Sequence, residues 1–97
     1  MNIVSRRGLE QLISLHPETR PALARWYSLA SKSRWEKFED VRATIPSVDR
    51  VGEVLIFNVM GGNFRLIATV GSGYQRLYLK ALLTHKEYDR KEWMKWA

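Results

Sequence analysis

Val54-Leu55-Ile56-Phe57-Asn58-Val59, then Met60-Gly61-Gly62-Asn63, then Phe64-Arg65-Leu66-Ile67-Ala68-Thr69-Val70 decide the fold: two apolar runs flank a pair of glycines. The first run is apolar at nearly every position, the signature of a strand covered on both sides. The second alternates, with Phe64, Leu66, Ala68 and Val70 on one face and Arg65, Ile67 and Thr69 on the other. Gly61-Gly62 is a two-residue hairpin signal, because the turns that suit such a loop need positive φ at one or both central positions, which glycine adopts freely.

Toward the C-terminus, Gly71-Ser72-Gly73-Tyr74 predicts a second turn and residues 75–83 a third strand. In that strand Leu77, Leu79, Ala81 and Leu83 fall on the core side, opposite Arg76, Tyr78, Lys80 and Leu82. Thr84-His85-Lys86-Glu87 is a capping-box pattern and predicts a closing helix that carries Tyr88, Trp93 and Trp96.

Toward the N-terminus the period changes to 3.6. Residues 44–52, with Pro46 and Gly52, read as loop. Ser33-Arg34-Trp35-Glu36 is a second capping-box pattern and predicts a short helix turning Trp35, Phe38 and Val41 inward. Leu23, Trp26, Tyr27 and Ala30 form the stripe of a helix beginning near Thr19 or Arg20, with Pro21 in its first turn. Leu9, Leu12, Ile13 and His16 form an earlier stripe, capped by Ser5 and closed by Pro17. Ile3-Val4 adds a short edge strand. Helices first, then an antiparallel meander, then a closing helix: this is an α+β domain.

Composition agrees with a single domain over residues 1–97. The hydrophobic share is 45% and the charged share 27%, an ordinary globular balance. Sixteen Lys and Arg against ten Asp and Glu give a net charge of +6, which fits either a solvated basic surface or a polyanion partner. The absence of cysteine removes disulfides, thiolate nucleophiles and zinc–cysteine sites. Two histidines and three aspartates make no metal cage, so neither metal nor cofactor is expected. No apolar run approaches the roughly 18–20 residues that cross a bilayer, and no signal-peptide core is visible. A cytoplasmic protein without membrane contact is the expectation.

Counting outward from the two turns places Asn58 opposite Arg65 and Arg65 opposite Lys80, one polar row across an otherwise apolar sheet. Two like charges directly opposed are unfavourable by roughly 0.2–1 kcal/mol. An anion between them removes the repulsion and makes both of them ligands; a water layer or a nearby carboxylate would screen them equally well. His85 opens the final helix beside this row, with Tyr88 one turn on. Free N–H groups and the dipole at a helix start attract phosphate, and an imidazole with an ordinary pKa near 6.5 suits proton exchange. His16, before Pro17, reads as structural. Trp26, Trp35 and Phe38 read as core, while Trp93 and Trp96 fit either core or a partner surface.

These residues also carry a family resemblance. Met1-Asn2-Ile3-Val4-Ser5-Arg6-Arg7, the Trp26-Tyr27 pair, the Phe57-Asn58-Val59 and Gly61-Gly62-Asn63-Phe64-Arg65-Leu66 blocks, and the ending Thr84-His85-Lys86-Glu87-Tyr88-Asp89 resemble the HigB family of bacterial toxins. That family is part of the RelE-like superfamily of type II toxin–antitoxin systems. The resemblance covers nearly the whole chain. It implies helices packed on one side of an antiparallel sheet, and an mRNA endonuclease acting on messages in the 70S ribosome. It also implies a helix-turn-helix antitoxin of the HigA type, through which alone the protein would meet operator DNA.

By the same resemblance Arg65 contacts the scissile phosphate, His85 transfers a proton, and Tyr88 holds or orients a base. RelE-type members carry lysines on the strand before the glycine turn, where this chain has Ile56 and Asn58. The general base is therefore open, and Lys80 is a candidate for charge stabilisation. Asn58 would orient a phosphate oxygen or the 2′-hydroxyl, and Asn63 would join it at the RNA. Arg6, Arg7, Arg76, Lys86, Arg90 and Lys91 offer sequence-independent backbone contacts or simply a solvated surface. Competing expectations are a non-catalytic RNA- or ribosome-binding module and a toxin directed at a protein such as gyrase. No helix-turn-helix pattern supports an antitoxin or a transcription factor.

Overall fold

In the computed structural model, residues 1–4 and 6–97 are described, Arg6, Arg7 and Ser72 by their backbone only. The proposed Ser5 cap lies outside the described residues. Strand β1 (Asn2–Val4) leads into α1 (Arg6–Leu15), a single 3-10 turn (Pro17–Thr19) and α2 (Arg20–Lys32). Helix α3 (Phe38–Thr44) and strand β2 (Asp49–Val51) follow. The meander is β3 (Val54–Val59), β4 (Phe64–Val70) and β5 (Arg76–Thr84), closed by α4 (His85–Asp89) and a 3-10 turn (Glu92–Trp96). Among the described residues the five strands form one sheet in the order β1-β5-β4-β3-β2, antiparallel except where β1 runs parallel to β5. No described helix is long and apolar enough to cross a membrane.

The doubly apolar β3 is explained by a core on each side of the sheet. Leu55, Phe57 and Val59 face α1, α2 and α3 together with Leu66, Ala68 and Leu77. Phe57 is fully buried at the centre, with Trp26 edge-on at 5.2 Å and Trp35 stacked at 6.3 Å. Val54 and Ile56 point the other way, to Ile67 and Trp93. The expected stripe of α2 is in place, with Leu23, Trp26 and Ala30 buried.

Four expectations fail locally. Ser33 ends α2 instead of opening a helix: its N–H donates to the Ala30 carbonyl and its hydroxyl to that of Leu29 at 2.8 Å. A hydroxyl can serve either helix end, and here the preceding helix takes it, leaving Trp35 on extended chain that reaches Phe57. Residues 44–52 are not all loop, because Asp49–Val51 pairs with β3; a three-residue charged edge strand has too little alternation to read. The glycine pair sits in a four-residue connection, Met60 through Asn63, with Val59 opposite Phe64. The Asn58–Arg65 pairing survives because the longer loop is symmetric about the same centre. The closing helix breaks at Lys91, whose φ of 62° is left-handed, so that Trp93 can turn onto the sheet.

The larger correction concerns β4 and β5. Val70 faces Leu77, not Gln75, and a bulge then leaves Lys80 without a partner between the Ala68–Leu79 and Ile67–Ala81 pairs. Arg65 consequently faces Leu83, and the Asn58–Arg65–Lys80 row does not form. The extra residue also switches faces: Leu77 and Leu79 point to the helices as predicted, but beyond the bulge Leu82 does so, and Ala81 and Leu83 join the opposite face. Deleting Lys80 is expected to move Leu82 out of the core and to cost about 2–5 kcal/mol. Lys80→Ala, which keeps the extra residue, should stay within about 0.5 kcal/mol of wild type. Urea unfolding of the two variants checks this contrast.

Candidate active site

The second sheet face, away from α1 and α2, carries the polar groups. Asn58 is exposed there, Arg65 is half-buried, and Leu83 completes their row. Two neighbours hold the Arg65 guanidinium. One of its nitrogens donates to the Gly62 carbonyl, and its carbon lies 5.0 Å from the centre of the Tyr88 ring. Gly62 has φ +93°, and a side chain there would come within 3.1 Å of the guanidinium. Glycine is thus required twice, for its backbone angle and for the space Arg65 occupies.

Tyr88 is fixed in turn from α4. Its ring stacks on Trp93 at 5.1 Å with the planes 2° apart, and the Trp93 indole N–H donates to the Tyr88 carbonyl at 3.0 Å. Trp93 is buried against Val54, Ile56 and Ile67, so the sheet supports tryptophan, tyrosine and arginine in succession. Burial raises the Tyr88 pKa, and the carboxylates of Asp49 and Asp89 push the same way against Arg65. The phenol therefore stays protonated at neutral pH and available as a donor.

The start of α4 is pinned to the hairpin loop: the His85 N–H donates to the Asn63 carbonyl at 3.1 Å. The predicted capping box is present, with the Thr84 N–H donating to Glu87 Oε1 at 2.9 Å and the Glu87 N–H to the Thr84 hydroxyl at 3.2 Å. The His85 side chain is 65% exposed, and its Nε2 lies 3.2 Å from Asp89 Oδ2. The helix has only five residues, so its dipole is small and anion attraction at this end falls to Arg65.

Arg65, Tyr88, His85, Asn58 and Asn63 are thus gathered at one end of the sheet. Lys86 and Arg90 are exposed beside them, on and just after α4. Lys80 stands apart: it is exposed at the bulge, three residues down β5 from Leu83, a span of roughly 10 Å. Arg76 begins β5 at the far end of that strand. Lys91 is exposed in the link to the C-terminal turn. Arg6 and Arg7 begin α1, and their side chains lie outside the described residues. His16 stands just before the Pro17–Thr19 turn, its ring 4.9 Å from that of Phe64.

Sequence reasoning missed one carboxylate of the site. Asp89 follows His85 by one helical turn and was readable from that spacing. Among the described residues no three His, Asp or Glu side chains gather as metal ligands.

Helices on one face of a mainly antiparallel five-stranded sheet, closed by a C-terminal helix, are consistent with a RelE-like fold, and similarity gives the family. The chain belongs to the HigB toxin family, described as the RelE-like toxic component of a toxin-antitoxin system, whose family model matches residues 19–91. A relative from Escherichia coli (strain K12), named mRNA interferase toxin HigB, is 28% identical over 92 residues, spanning 92% of this chain and 88% of its own. The Shigella flexneri protein named mRNA interferase HigB matches to the same extent. A protein of that name from another Escherichia coli strain is 26% identical over 93 residues, spanning 93% of this chain and 90% of its own.

The cap makes the site helix sensitive to acid. The Thr84 N–H above all, with the Thr84 hydroxyl, His16 and Arg90, holds the Glu87 carboxyl below its ordinary pKa. A depressed carboxyl stabilises the fold at neutral pH, and that stabilisation is lost as pH falls through the depressed value. Glu87→Ala is expected to cost on the order of 1 kcal/mol at neutral pH. In urea unfolding the gap between wild type and variant should close on acidification below the carboxylate range.

Proposed function

We propose that this toxin is an mRNA endonuclease that arrests translation, cutting messages while they are held by the ribosome. The observation that carries the reading is the Arg65 guanidinium, fixed by Gly62 and Tyr88 beside the helix that presents His85. The relatives' printed names, mRNA interferase, support the same substrate.

In such a reaction the 2′-hydroxyl attacks its own phosphate and the 5′-oxygen leaves. Charge gathers on the phosphorane, where a guanidinium already in position costs no reorganisation. Arg65 supplies it. Asn58, next to Arg65 in the row, orients a phosphate oxygen or the 2′-hydroxyl. His85, exposed and paired with Asp89, gives its proton to the leaving oxygen. Tyr88 was expected to hold a base; with its ring engaged by Arg65 and Trp93, its part is instead to hold the guanidinium and to donate from its hydroxyl. Protein side chains supply every proton and charge, without a metal. Lys86 and Arg90 flank the site and offer backbone contacts to RNA.

A toxin of this family has an antitoxin partner, and we assign it the helix-turn-helix type that represses the shared operon. Both would work in the bacterial cytoplasm.

His85→Ala and Arg65→Ala are each expected to lower cleavage by about 10²–10³-fold and to abolish growth arrest, with circular dichroism unchanged. Growth arrest on induction and mapping of message ends on ribosomes check this. Unaltered message ends with wild-type protein would mark a non-catalytic binder, and wild-type toxicity from both folded variants would contradict the assignment.

A further inference from the structure

A cleft opens between α4 and the C-terminal turn, next to the Arg65 row. It holds about 130 Å³ and is lined by Leu83, Glu87, Glu92, Trp93, Lys95 and Trp96. We propose that this cleft is a subsite for one nucleobase of the message, beside the scissile phosphate. Trp96 is its platform, and the Glu92 carboxylate selects bases that carry an exocyclic amine. The inference rests on the endonuclease reading given above for its substrate and adds the base selectivity.

Two direct links tie the cleft to the guanidinium. Leu83, one of its walls, is the cross-strand partner of Arg65, and paired residues share a face with Cβ atoms about 4.5–5.5 Å apart. Trp93, another wall, is the ring on which Tyr88 stacks, and Tyr88 in turn meets Arg65. A phosphate on Arg65 therefore brings its own nucleotide to the edge of the cleft. Tyr88 itself is a poor platform, because Trp93 and the guanidinium already engage its ring. The groove beside Arg25, Leu29 and Lys32 has no such link, since it lies on α2 across the sheet.

The lining suits one flat ring system. Its volume falls well short of the about 300–1,000 Å³ of pockets that enclose larger ligands. Leu83, Trp93 and Trp96 give it apolar walls, and every base has a π-face to lay against them. Trp96 is half-buried against the Trp93 cluster, so its ring is held before a ligand arrives. The Lys95 ammonium lies over that ring at 4.9 Å. An exposed cation–π contact is weak, and a stacking base outweighs it. The released lysine is then free to meet a phosphate of the same strand.

The polar groups of the cleft decide which base enters. Glu87 is committed to the capping box. The Glu92 carboxylate is exposed, and among the described residues no donor or cation pairs with its side chain. An ionised carboxylate accepts hydrogen bonds and donates none. It favours the exocyclic amine of adenine, cytosine or guanine and disfavours the carbonyl oxygens that uracil presents instead.

The test uses the full chain and four 2′-O-methylated RNA trinucleotides, one for each base, with NMR of the tryptophan indole N–H signals. The Trp96 signal should shift with the adenine, cytosine and guanine oligomers and saturate together with the Arg65 side chain. The uracil oligomer should bind about 10-fold more weakly. Glu92→Gln, an exposed change whose amide also donates, should erase most of that difference. Trp96→Ala should weaken binding by about 10-fold, and Trp96→Phe, which keeps an aromatic ring, should recover most of it. On ribosomes, maps of message ends should show discrimination against uracil at one position beside the cut, flattened in Glu92→Gln. A Trp96 signal that stays still while Arg65 shifts would overturn the proposal, as would discrimination between bases that Glu92→Gln leaves unchanged. Base-selective Trp96 shifts from a protein that leaves messages whole would overturn the endonuclease reading and keep the cleft as an RNA subsite.

Discussion

The position of the Arg65 guanidinium is the constraint on which the rest of the site depends. A free arginine loses about 2 kcal/mol of side-chain entropy when it is immobilised. In this protein much of that is offset before any ligand arrives. A cation over an aromatic ring contributes about 0.5–2 kcal/mol depending on exposure, the stacked Tyr88–Trp93 pair about 0.5–1.5 kcal/mol, and the Gly62 carbonyl adds a charge-assisted hydrogen bond. The arginine is thus pre-organised, and a phosphate meets a donor that is already ordered.

That arrangement explains several features which look unrelated. Gly62 leaves room for the guanidinium where any side chain would crowd it. The break at Lys91 lets Trp93 reach the sheet and carry Tyr88. The bulge at Lys80 brings Leu83 rather than a second cation beside Arg65, so the repulsion anticipated from the turns never arises. The same bulge turns Ala81 and Leu83 toward Trp93, completing the apolar floor on which the stack stands.

Much of the fold was legible because its signals are local. The glycine pair fixed the β3–β4 register even though the loop is longer than the shortest hairpin, and the Thr84 capping box located the start of α4. What could not be read is non-local or degenerate. A bulge has no mark in the sequence, since Lys80 fits an alternating strand equally well until its partner strand is known. A serine before a tryptophan can end one helix or begin the next, and Ser33 ends one. The site divides the same way. His85, Arg65 and Tyr88 lie within or beside recognisable blocks and are brought together. Lys80 depended on counting from a turn and is not.

The most direct measurement of the central claim is an NMR titration of the isotope-labelled protein with a 2′-O-methylated RNA oligomer, observing the arginine side-chain N–H and backbone signals. If the account is right, the Arg65 side chain and the backbone of Gly62, Asn63, His85 and Tyr88 shift together and saturate together, while Lys80 and Arg76 stay in place. Saturable shifts confined to the outer surface of α2, with the Arg65 side chain unmoved, would contradict it.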